Sequence, residues 1–244
     1  MQASGAPQLL PCGDAALVVQ FGEEIDPGLN ARVLALDTRV AAGLTGVIET
    51  VPTYRSLLVH YDPTATDFRT LGAALLALCR DPPQEPAQGR LWRIPVVYGG
   101  DFGIDLESVA AHHGITTGEL IRKHSAPAYR VYMMGFLPGF PYMGTLPPEL
   151  ELPRRENPRL RVPSGSVAIA MAMSTVYTLE SPGGWHLLGR TPVLMWDPRR
   201  AEPTLVAAGD KVTFTPVSRR EYEDILAQST AGTYDVRPDG EARA

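Results

Sequence analysis

The sequence predicts a mixed α+β protein, in which a small α/β domain precedes a β-rich barrel domain. In the first 80 residues, β-prone runs alternate with two segments whose apolar residues recur at helical spacing. Residues 81–90 (DPPQEPAQGR) hold three prolines and almost nothing apolar, which is typical of a linker. Further on, short β-prone runs alternate with turns rich in Pro and Gly, as in closed or partly closed β domains. We therefore predict domains at 1–80 and 91–227, joined by a linker at 81–90, and a flexible tail at 228–244.

The N-terminal domain is predicted to follow the order β-α-β-β-α, a split βαβ arrangement of the ferredoxin-like kind. Its first helix starts at Asp26-Pro27, because Asp can cap a helix and Pro suits the first turn. Gly43 is placed to end that helix. The apolar stripes are Leu29, Val33, Leu36 and Val40 in the first helix and Phe68, Leu71, Leu75 and Leu78 in the second, and the strands are 15–21, 47–51 and 56–61.

The second domain is predicted to begin with a strand, followed by two short helices and a series of further strands. Thr116 and Glu119 match a capping box at the second of these helices. The helix-turn-helix pattern of 109–124 resembles a DNA reader, but its second helix offers only Arg122 and Lys123 to phosphates, so we expect a packing role. The β-prone runs are 91–98, 129–134, 167–173, 176–179, 185–188, 193–196 and 211–215.

Composition excludes several classes of protein. Of 244 residues, 44% are hydrophobic and the net charge is −5, which argues against a disordered chain and against a protein built to grip nucleic acid. No apolar run approaches the roughly 20 residues that cross a membrane, and the start lacks the features of a secretory signal. Cys12 and Cys79 are too few for a disulfide framework. We expect a cytoplasmic protein that binds neither membrane nor nucleic acid.

Residues 135–144 (GFLPGFPYMG) form the densest candidate loop. Pro138 and Gly139 fit the central positions of a type II turn, where Pro pre-sets φ and Gly accepts a positive φ. The aromatic side chains either plug the barrel end or wall a site for a small ring-shaped ligand. We favour the site, because so many glycines and aromatic residues are costly in a mere connection. The aromatic candidates are Phe136, Phe140 and Tyr142.

Arginines are concentrated at 154–161, where Arg154 and Arg155 are adjacent. An arginine can hold a carboxylate or phosphate through paired N–H donors. The same side chains can instead pair with neighbouring acids such as Glu156. Both interpretations stay open on the sequence.

Two further turns carry candidate ligand contacts. Ser164-Gly165-Ser166 supplies two hydroxyls to a ligand or to a simple turn, without the glycine that a G-x-S-x-G nucleophile elbow requires. Gly183-Gly184 can present N–H groups to an anion, or can belong to a hairpin with a core Trp185. Trp185 and His186 alternate in direction, so only one of them faces a given site, and Arg190 could complete an anion site.

His124 closes a predicted helix, where a histidine is often only a partner of the helix dipole. It also precedes the β run that leads into the dense loop, so a site role and a structural role are about equally supported. The sequence has no phosphate loop, no G-x-G-x-x-G, no H-E-x-x-H and no Cys/His metal spacing. We therefore expect no metal centre.

Four segments taken together carry a family resemblance. GFLPGFPYMG, RRENPRLRVPSGSV, ESPGGWHLLGRTP and AGDKVTFTPV occur in that order, within a likeness that runs from Gly13-Asp14 to about residue 225. They resemble the B subunit of 5-oxoprolinase, a family also called allophanate hydrolase subunit 1, which includes an inhibitor of a sporulation sensor kinase. Related domains form half of the carboxyltransferase unit in urea amidolyase. The resemblance implies an N-terminal α/β domain and a cyclophilin-like β-barrel.

The same resemblance implies an enzyme subunit that is inactive without its partners. The expected complex contains a homologous C subunit together with a barrel-type A subunit, and hydrolyses 5-oxo-L-proline to L-glutamate with ATP bound through the complex. A relative acting on another small cyclic amide or urea derivative is also consistent, and the alternative is a regulatory protein that inhibits a sensor histidine kinase.

Site residues are carried over onto matching positions. The resemblance implies that they line one end of the barrel, with His124 as general acid/base and Arg154 or Arg155 stabilising negative charge. Residues 171–178 (MAMSTVYT) stand where the family usually has a glycine-rich loop with a glutamine, so an amide contact is lost and the exact ligand stays open. The expected substrate-binding residues are Phe136, Pro138, Gly139, Phe140, Tyr142, Ser164, Gly165, Ser166, Gly183, Gly184, Trp185 and Arg190.

Overall fold

A computed structural model describes residues 6–80 and 89–239. Within these ranges the protein is mixed α+β, with a closed seven-stranded barrel, a four-stranded sheet, a two-stranded ribbon and five α-helices. The chain divides into two units, Met1–Gln88 and Gly89–Ala244, and each has its own hydrophobic core. Of the predicted linker at 81–90, the positions 81–88 lie outside the described residues.

The N-terminal unit is an antiparallel sheet with strand order β1-β2-β4-β3. Asp26 caps the first helix by accepting a 2.9 Å hydrogen bond from the Leu29 N–H, so the predicted helix start is confirmed. Both helices contact the sheet, and the strand residues Leu17 and Leu57 are fully buried beneath them. The elements are β1 (Gln8–Pro11), β2 (Ala16–Gln20), α1 (Pro27–Ala41), β3 (Val47–Pro52), β4 (Ser56–Tyr61) and α2 (Phe68–Leu78).

The strand β1 was not predicted. It has four residues that are mostly exposed at the edge of the sheet, so it lacks the apolar alternation by which a half-buried strand is recognised. Its pairing with β2 forms only in the folded sheet, so the local sequence does not indicate it.

The second unit contains the barrel, whose strand order is β10-β7-β6-β13-β5-β12-β9. Neighbouring strands are antiparallel except for the parallel pair β5 and β13, and β8 and β11 form the separate ribbon. Its strands are β5 (Leu91–Tyr98), β6 (Tyr129–Met134), β7 (Pro141–Gly144), β8 (Arg159–Val162), β9 (Ser166–Ala170), β10 (Met173–Val176), β11 (Ser181–Gly183), β12 (His186–Arg190) and β13 (Lys211–Pro216).

Three helices pack on this barrel: α3 (Leu106–His112), α4 (Thr117–Ser125) and α5 (Arg219–Ala231). The helices of the DNA-reader-like segment contact each other and the strands β12 and β13, as a packing role requires. Thr116 accepts a 3.1 Å hydrogen bond from the Glu119 N–H. The helix α5 was missed, although Ser218 and Glu221 form a complete capping box at its start.

Three expected strands differ from the structure. Of the run 176–179, only Val176 lies in a strand, at the end of β10. The run 167–173 is interrupted at Met171, whose φ of 54° turns the chain between β9 and β10. Residues 193–196 form no strand and contribute only an isolated bridge from Trp196 to Thr204. Continuous apolar character does not distinguish a strand from a buried turn.

The expected ends of the barrel domain also need correction. The helix α5 continues to Ala231, and Tyr234 and Val236 pack against the barrel core, so residues 228–239 are not a loose tail. Arg90, placed in the linker, binds the buried Asp210 through its backbone N–H at 2.9 Å and its guanidinium at 3.0 Å. These contacts join segments that are distant in the chain, which local composition does not report.

None of the helices in the part of the chain that the structure describes is long and apolar enough to cross a bilayer.

Candidate ligand-binding site

An aromatic cleft of about 300 Å³ lies in the barrel unit. The loop between β6 and β7, the ribbon and the residue before β12 all contribute to it. Its lining residues are Phe136, Phe140, Tyr142, Arg154, Pro158, Tyr177, Pro182, Gly183, Gly184 and Trp185. All of these except Pro158, Tyr177 and Pro182 are among the predicted site residues.

The rings of this cleft are arranged around Phe140, which is almost fully buried. Tyr142 and Tyr177 approach it at ring-centroid distances of 5.0 and 5.2 Å, and Trp185 lies at 6.5 Å. Edge-to-face contacts of this kind hold aromatic rings in defined orientations. The cleft therefore has firm, flat walls.

The loop that carries Phe140 is built by the predicted turn. The Phe140 N–H donates to the Leu137 carbonyl at 3.1 Å, and Gly139 has a φ of 70°. A Cβ on Gly139 would lie 2.9 Å from the Trp196 Cβ. Pro138 and Gly139 thus shape the loop against its neighbouring segment and do not line the cleft.

Phe136 is unusual in two ways. Its φ is 70°, a left-handed conformation that costs energy in a residue other than glycine, and its side chain is 62% exposed. It contacts Phe140 edge to face at 5.4 Å. The loop therefore holds an apolar ring at the mouth of the cleft instead of burying it.

Arg154 is the one charged residue among those that line the aromatic cleft. Its guanidinium carbon lies 5.8 Å from the Trp185 ring centroid, within cation–π range. Burial raises the pKa of Tyr177 to about 12 and also raises the pKa of Tyr142, so both phenols stay protonated at neutral pH. Among the residues that line the cleft, the Arg154 guanidinium is the group that attracts an anion.

Tyr177 and Gly183 depend on each other. A Cβ on Gly183 would overlap the Tyr177 hydroxyl, so only glycine lets that phenol pack there. Gly183 ends the strand β11, which pairs with β8, and neither Gly183 nor Gly184 has a positive φ, so the expected tight glycine turn is not present. The Gly184 carbonyl instead accepts a 2.8 Å hydrogen bond from the Arg155 N–H.

A second cavity of about 400 Å³, which we call the histidine cleft, shares Arg154 with the aromatic cleft. Trp185 lines one cavity and His186 the other, as strand alternation requires. The residues of the histidine cleft are Ser108, Val109, His112, Leu152, Pro153, Arg154, Arg155, Glu156, Asn157 and His186.

Arg155 does not fit its expected role as a free stabiliser of charge. It lies 3.1 Å from the buried carboxylate of Asp105, which Arg159 also reaches at 2.7 Å. The second Asp105 oxygen accepts a 2.8 Å hydrogen bond from the Leu187 N–H. This network ties the start of α3, the arginine loop and β12 together, so Arg155 holds the site in place.

His124 does not fit its expected role as general acid/base. It is fully buried and lines neither cleft, and its ring stacks on Phe214 at 4.9 Å. Burial lowers its pKa to about 3. Its Nδ1 lies 2.9 Å from the Tyr98 hydroxyl and its Nε2 3.0 Å from the Ser174 hydroxyl, so both ring nitrogens are engaged inside the protein.

The other predicted contacts lie outside both clefts. The Ser164 hydroxyl donates to the Thr178 carbonyl at 2.7 Å, and Ser166 is fully buried. Gly165 has a φ of 80° and packs against the Thr191 carbonyl, which explains the glycine. Arg190 lies over the Phe102 ring at 5.6 Å.

Residues 171–178 are not an open loop. Residues 173–176 are a buried barrel strand, in which the Thr175 hydroxyl donates to the Pro141 carbonyl at 2.7 Å. Tyr177 follows this strand and reaches the aromatic cleft, which sequence reasoning missed. The available signal was an aromatic residue within the β-prone run 176–179.

Comparisons with known proteins agree with the sequence motifs. The family model described as the carboxyltransferase domain, subdomain C and D, matches residues 7–206. The 5-oxoprolinase B subunit of Bacillus subtilis is 36% identical over 237 residues, which cover 91% of this chain and 98% of that protein. The 5-oxoprolinase B subunit of Haemophilus influenzae is 45% identical over 168 residues, which cover 69% and 78%.

A solved structure gives the same result. The crystal structure of TTHA0988 matches 83% of this chain with a TM-score of 0.75 and 37% identity, but the match spans only 40% of the TTHA0988 chain. With the family model covering most of the sequence and a relative matched over nearly its full length, this chain belongs to the carboxyltransferase subdomain C and D family that includes the 5-oxoprolinase B subunit.

Proposed function

We propose that this chain is the B subunit of an ATP-dependent 5-oxoprolinase, which hydrolyses 5-oxo-L-proline to L-glutamate. The aromatic cleft carries the proposal. Its volume of about 300 Å³ is at the lower end for ligand sites, and it combines flat apolar walls with one arginine. A lactam ring that bears a carboxylate matches those features. The relatives named as B subunits of 5-oxoprolinase add support, and another small cyclic amide or urea derivative is the close variant.

Hydrolysis of a lactam must overcome the stability of the amide bond. ATP, bound through the complex, would supply the activation by phosphorylating the amide oxygen. This chain would place the ring against Phe140 and Trp185, and Arg154 would hold the carboxylate or the negative charge that develops. Because His124 is enclosed, proton transfer is not assigned to it.

The partners in the cytoplasm would be a homologous C subunit together with a barrel-type A subunit. The chain corresponds to less than half of TTHA0988, which is consistent with a unit that works beside others. On this proposal the barrel is cyclophilin-like. The N-terminal sheet is a ferredoxin-like variant whose edge strand next to β2 is supplied by β1.

The test is 5-oxoproline-dependent ATP hydrolysis by the chain purified with its two partner subunits. We expect turnover by the complex and none by this chain alone. Arg154→Gln should lower kcat/KM at least about tenfold, since it removes a charged contact to the ligand. Arg161→Gln is the matched control, because Arg161 is 78% exposed, pairs with Glu180 and lines neither cleft.

Two results would contradict the proposal. One is a pure, assembled complex that hydrolyses no lactam or urea derivative. The other is an equal loss of activity in both arginine variants.

The alternative, a protein that inhibits a sensor histidine kinase, is favoured by exposed apolar side chains. Phe136 is 62% exposed and Leu160 of the ribbon is 86% exposed. Co-purification separates the two functions. Recovery with a homologue of the C subunit supports the enzyme, and recovery with a histidine kinase without lactamase activity supports the regulator.

A further inference from the structure

The histidine cleft has no role in the proposed function so far, yet it is the larger of the two cavities that meet at Arg154. It lies between α3, which contributes Ser108 and His112, and the loop 152–157, with His186 of β12 as a further wall. Two imidazoles and two guanidinium groups therefore border one space.

His186 is held in one tautomer. Its Nε2 lies 2.9 Å from the Pro153 carbonyl oxygen, which can only accept a hydrogen bond, so Nε2 carries the proton. Its Nδ1 makes no hydrogen bond to the described residues. The neutral ring has a free lone pair there, and the protonated ring has a free N–H donor.

The imidazoles on this face interact with one another. The pKa of His113 is lowered by burial and by its neighbours His112 and His186, which lie close enough for their charges to matter. Positive charges that lie close together repel one another, and a bound anion offsets that repulsion. The arrangement thus gains from a negatively charged ligand.

The remaining charged groups determine how strong that attraction is. Arg155 and Arg159 both bind the Asp105 carboxylate beneath the cleft, so both side chains are held in that network, which keeps one net positive charge. Glu156 is the one carboxylate among the lining residues and opposes an anion. Arg154 is exposed and faces both clefts. Arg154, His112 and His186 are therefore the groups that favour anion binding.

We propose that the histidine cleft is a subsite for an oxyanion, a carboxylate or a phosphate group, held by Arg154, His112 and His186. Because Arg154 borders both cavities, a ligand whose ring occupies the aromatic cleft can extend its anionic group into the histidine cleft. Only this joint occupancy rests on the proposed function. The anion subsite itself does not require the chain to act on a lactam.

The subsite predicts a defined pH dependence. A protonated imidazole attracts an anion more strongly than a neutral one, so anion affinity should rise as the pH falls. Loss of the positive charge at higher pH leaves Arg154 as the main attraction.

The experiment follows the imidazole C2–H resonances of the full-length chain by proton NMR while inorganic phosphate, or separately glutarate, is added. The chain has five histidines, so single substitutions assign the signals. We expect the His112 and His186 signals to shift when the anion is added, and the His60 signal of the N-terminal unit to stay. A stronger response to phosphate identifies a phosphoryl group as the ligand, and a stronger response to glutarate identifies a carboxylate.

Charge variants test the assignment. Arg154→Gln should weaken anion binding about five- to tenfold, and Glu156→Gln should strengthen it about twofold, because the two side chains have opposite charges at the cleft. Arg161→Gln should leave affinity unchanged.

Three results would overturn the subsite: no shift of either cleft histidine at about 50 mM anion, an equal shift at His60, or equal weakening by R154Q and R161Q. The proposed function fails differently, by absence of turnover in the assembled complex, so each proposal can fall while the other stands.

Discussion

His124 is a core histidine with a complete set of partners. Ser174 also donates to the Ala168 carbonyl at 3.4 Å, so His124 Nε2 donates to Ser174 and Nδ1 accepts from Tyr98. Its backbone carbonyl accepts a 2.8 Å hydrogen bond from the Tyr129 hydroxyl. The ring is thus held neutral by burial and by a chain of hydrogen bonds that suits only the neutral form.

This environment makes stability depend on pH. The pKa of His124 is about 3 in the folded protein and roughly 6.5 in the unfolded chain, so between these values the unfolded state binds more protons. Falling pH therefore favours unfolding across this window. Between about pH 6 and pH 4, we expect wild-type free energy of unfolding to drop by roughly 1 kcal/mol per pH unit more than that of His124→Gln. Urea unfolding at a series of pH values checks this, and parallel pH slopes would refute it.

The ribbon of β8 and β11 positions the aromatic cleft. It brings Pro158, Pro182 and Gly183 to the cleft, and Gly183 leaves room for the hydroxyl of Tyr177. The loop between β6 and β7 supplies Phe136 and Phe140 from the other side. The ribbon and this loop therefore supply most of the walls of the aromatic cleft.

Adjacent glycines provide a test of this arrangement. Gly183→Ala should displace Tyr177 and destabilise the protein by about 1–3 kcal/mol, since its Cβ would overlap the phenol. Gly184→Ala is the control, because its Cβ would lie 3.6 Å from Pro158, an ordinary contact. Thermal unfolding of both variants should separate them clearly. Equal melting temperatures would show that Tyr177 does not pack as described.

The chain as a whole consists of two units with separate cores. The N-terminal core is built on residues such as Leu17 and Leu57, and the barrel core on residues such as Ile94 and Val212. The barrel unit also includes Arg90, bound to Asp210, and the helix α5. Its ends therefore lie outside the boundaries expected from composition.

A pair of fragments tests where the barrel unit ends. Residues 89–244 should fold alone and unfold cooperatively, because their core needs no residue of the first unit. Residues 91–227 lack Arg90 and the end of α5, so their melting temperature should be lower by at least about 5 °C. Circular dichroism melts measure both. A fragment 89–244 without a cooperative transition would contradict independent folding of this unit.

The first four α-helices and most strands could be predicted because their signals are local. Asp26 and Pro27 mark a helix start through their own chemistry, and the runs 56–61, 91–98 and 129–134 are strands with those bounds. The strands that were missed are those formed by burial and pairing in the fold and not marked by a local sequence pattern. β1 is an exposed edge, β8 and β11 pair only with each other, and β7 is four residues long.

The aromatic cleft could be predicted in part, because some of its signals are also local in the sequence. The composition of the loop 135–144 pointed to an aromatic site, because several glycines and aromatic residues are costly in a mere connection. The burial of His124 could not be predicted, because a position at a helix end does not show which residues pack over it. Arg155 was equally ambiguous, because its partner Asp105 is distant in the sequence.

The amino-acid sequence alone was enough to predict the family, the first four α-helices, most of the strands, and the turn at Pro138-Gly139. The fold alone decided which of the arginines is free, which histidine faces a cavity, and that Tyr177 joins Phe140 and Trp185 at one cleft. The reason is physical. Capping, periodicity and turn geometry depend on neighbours within a few residues, whereas burial, charge pairing and the shape of a cavity depend on residues that only folding brings together.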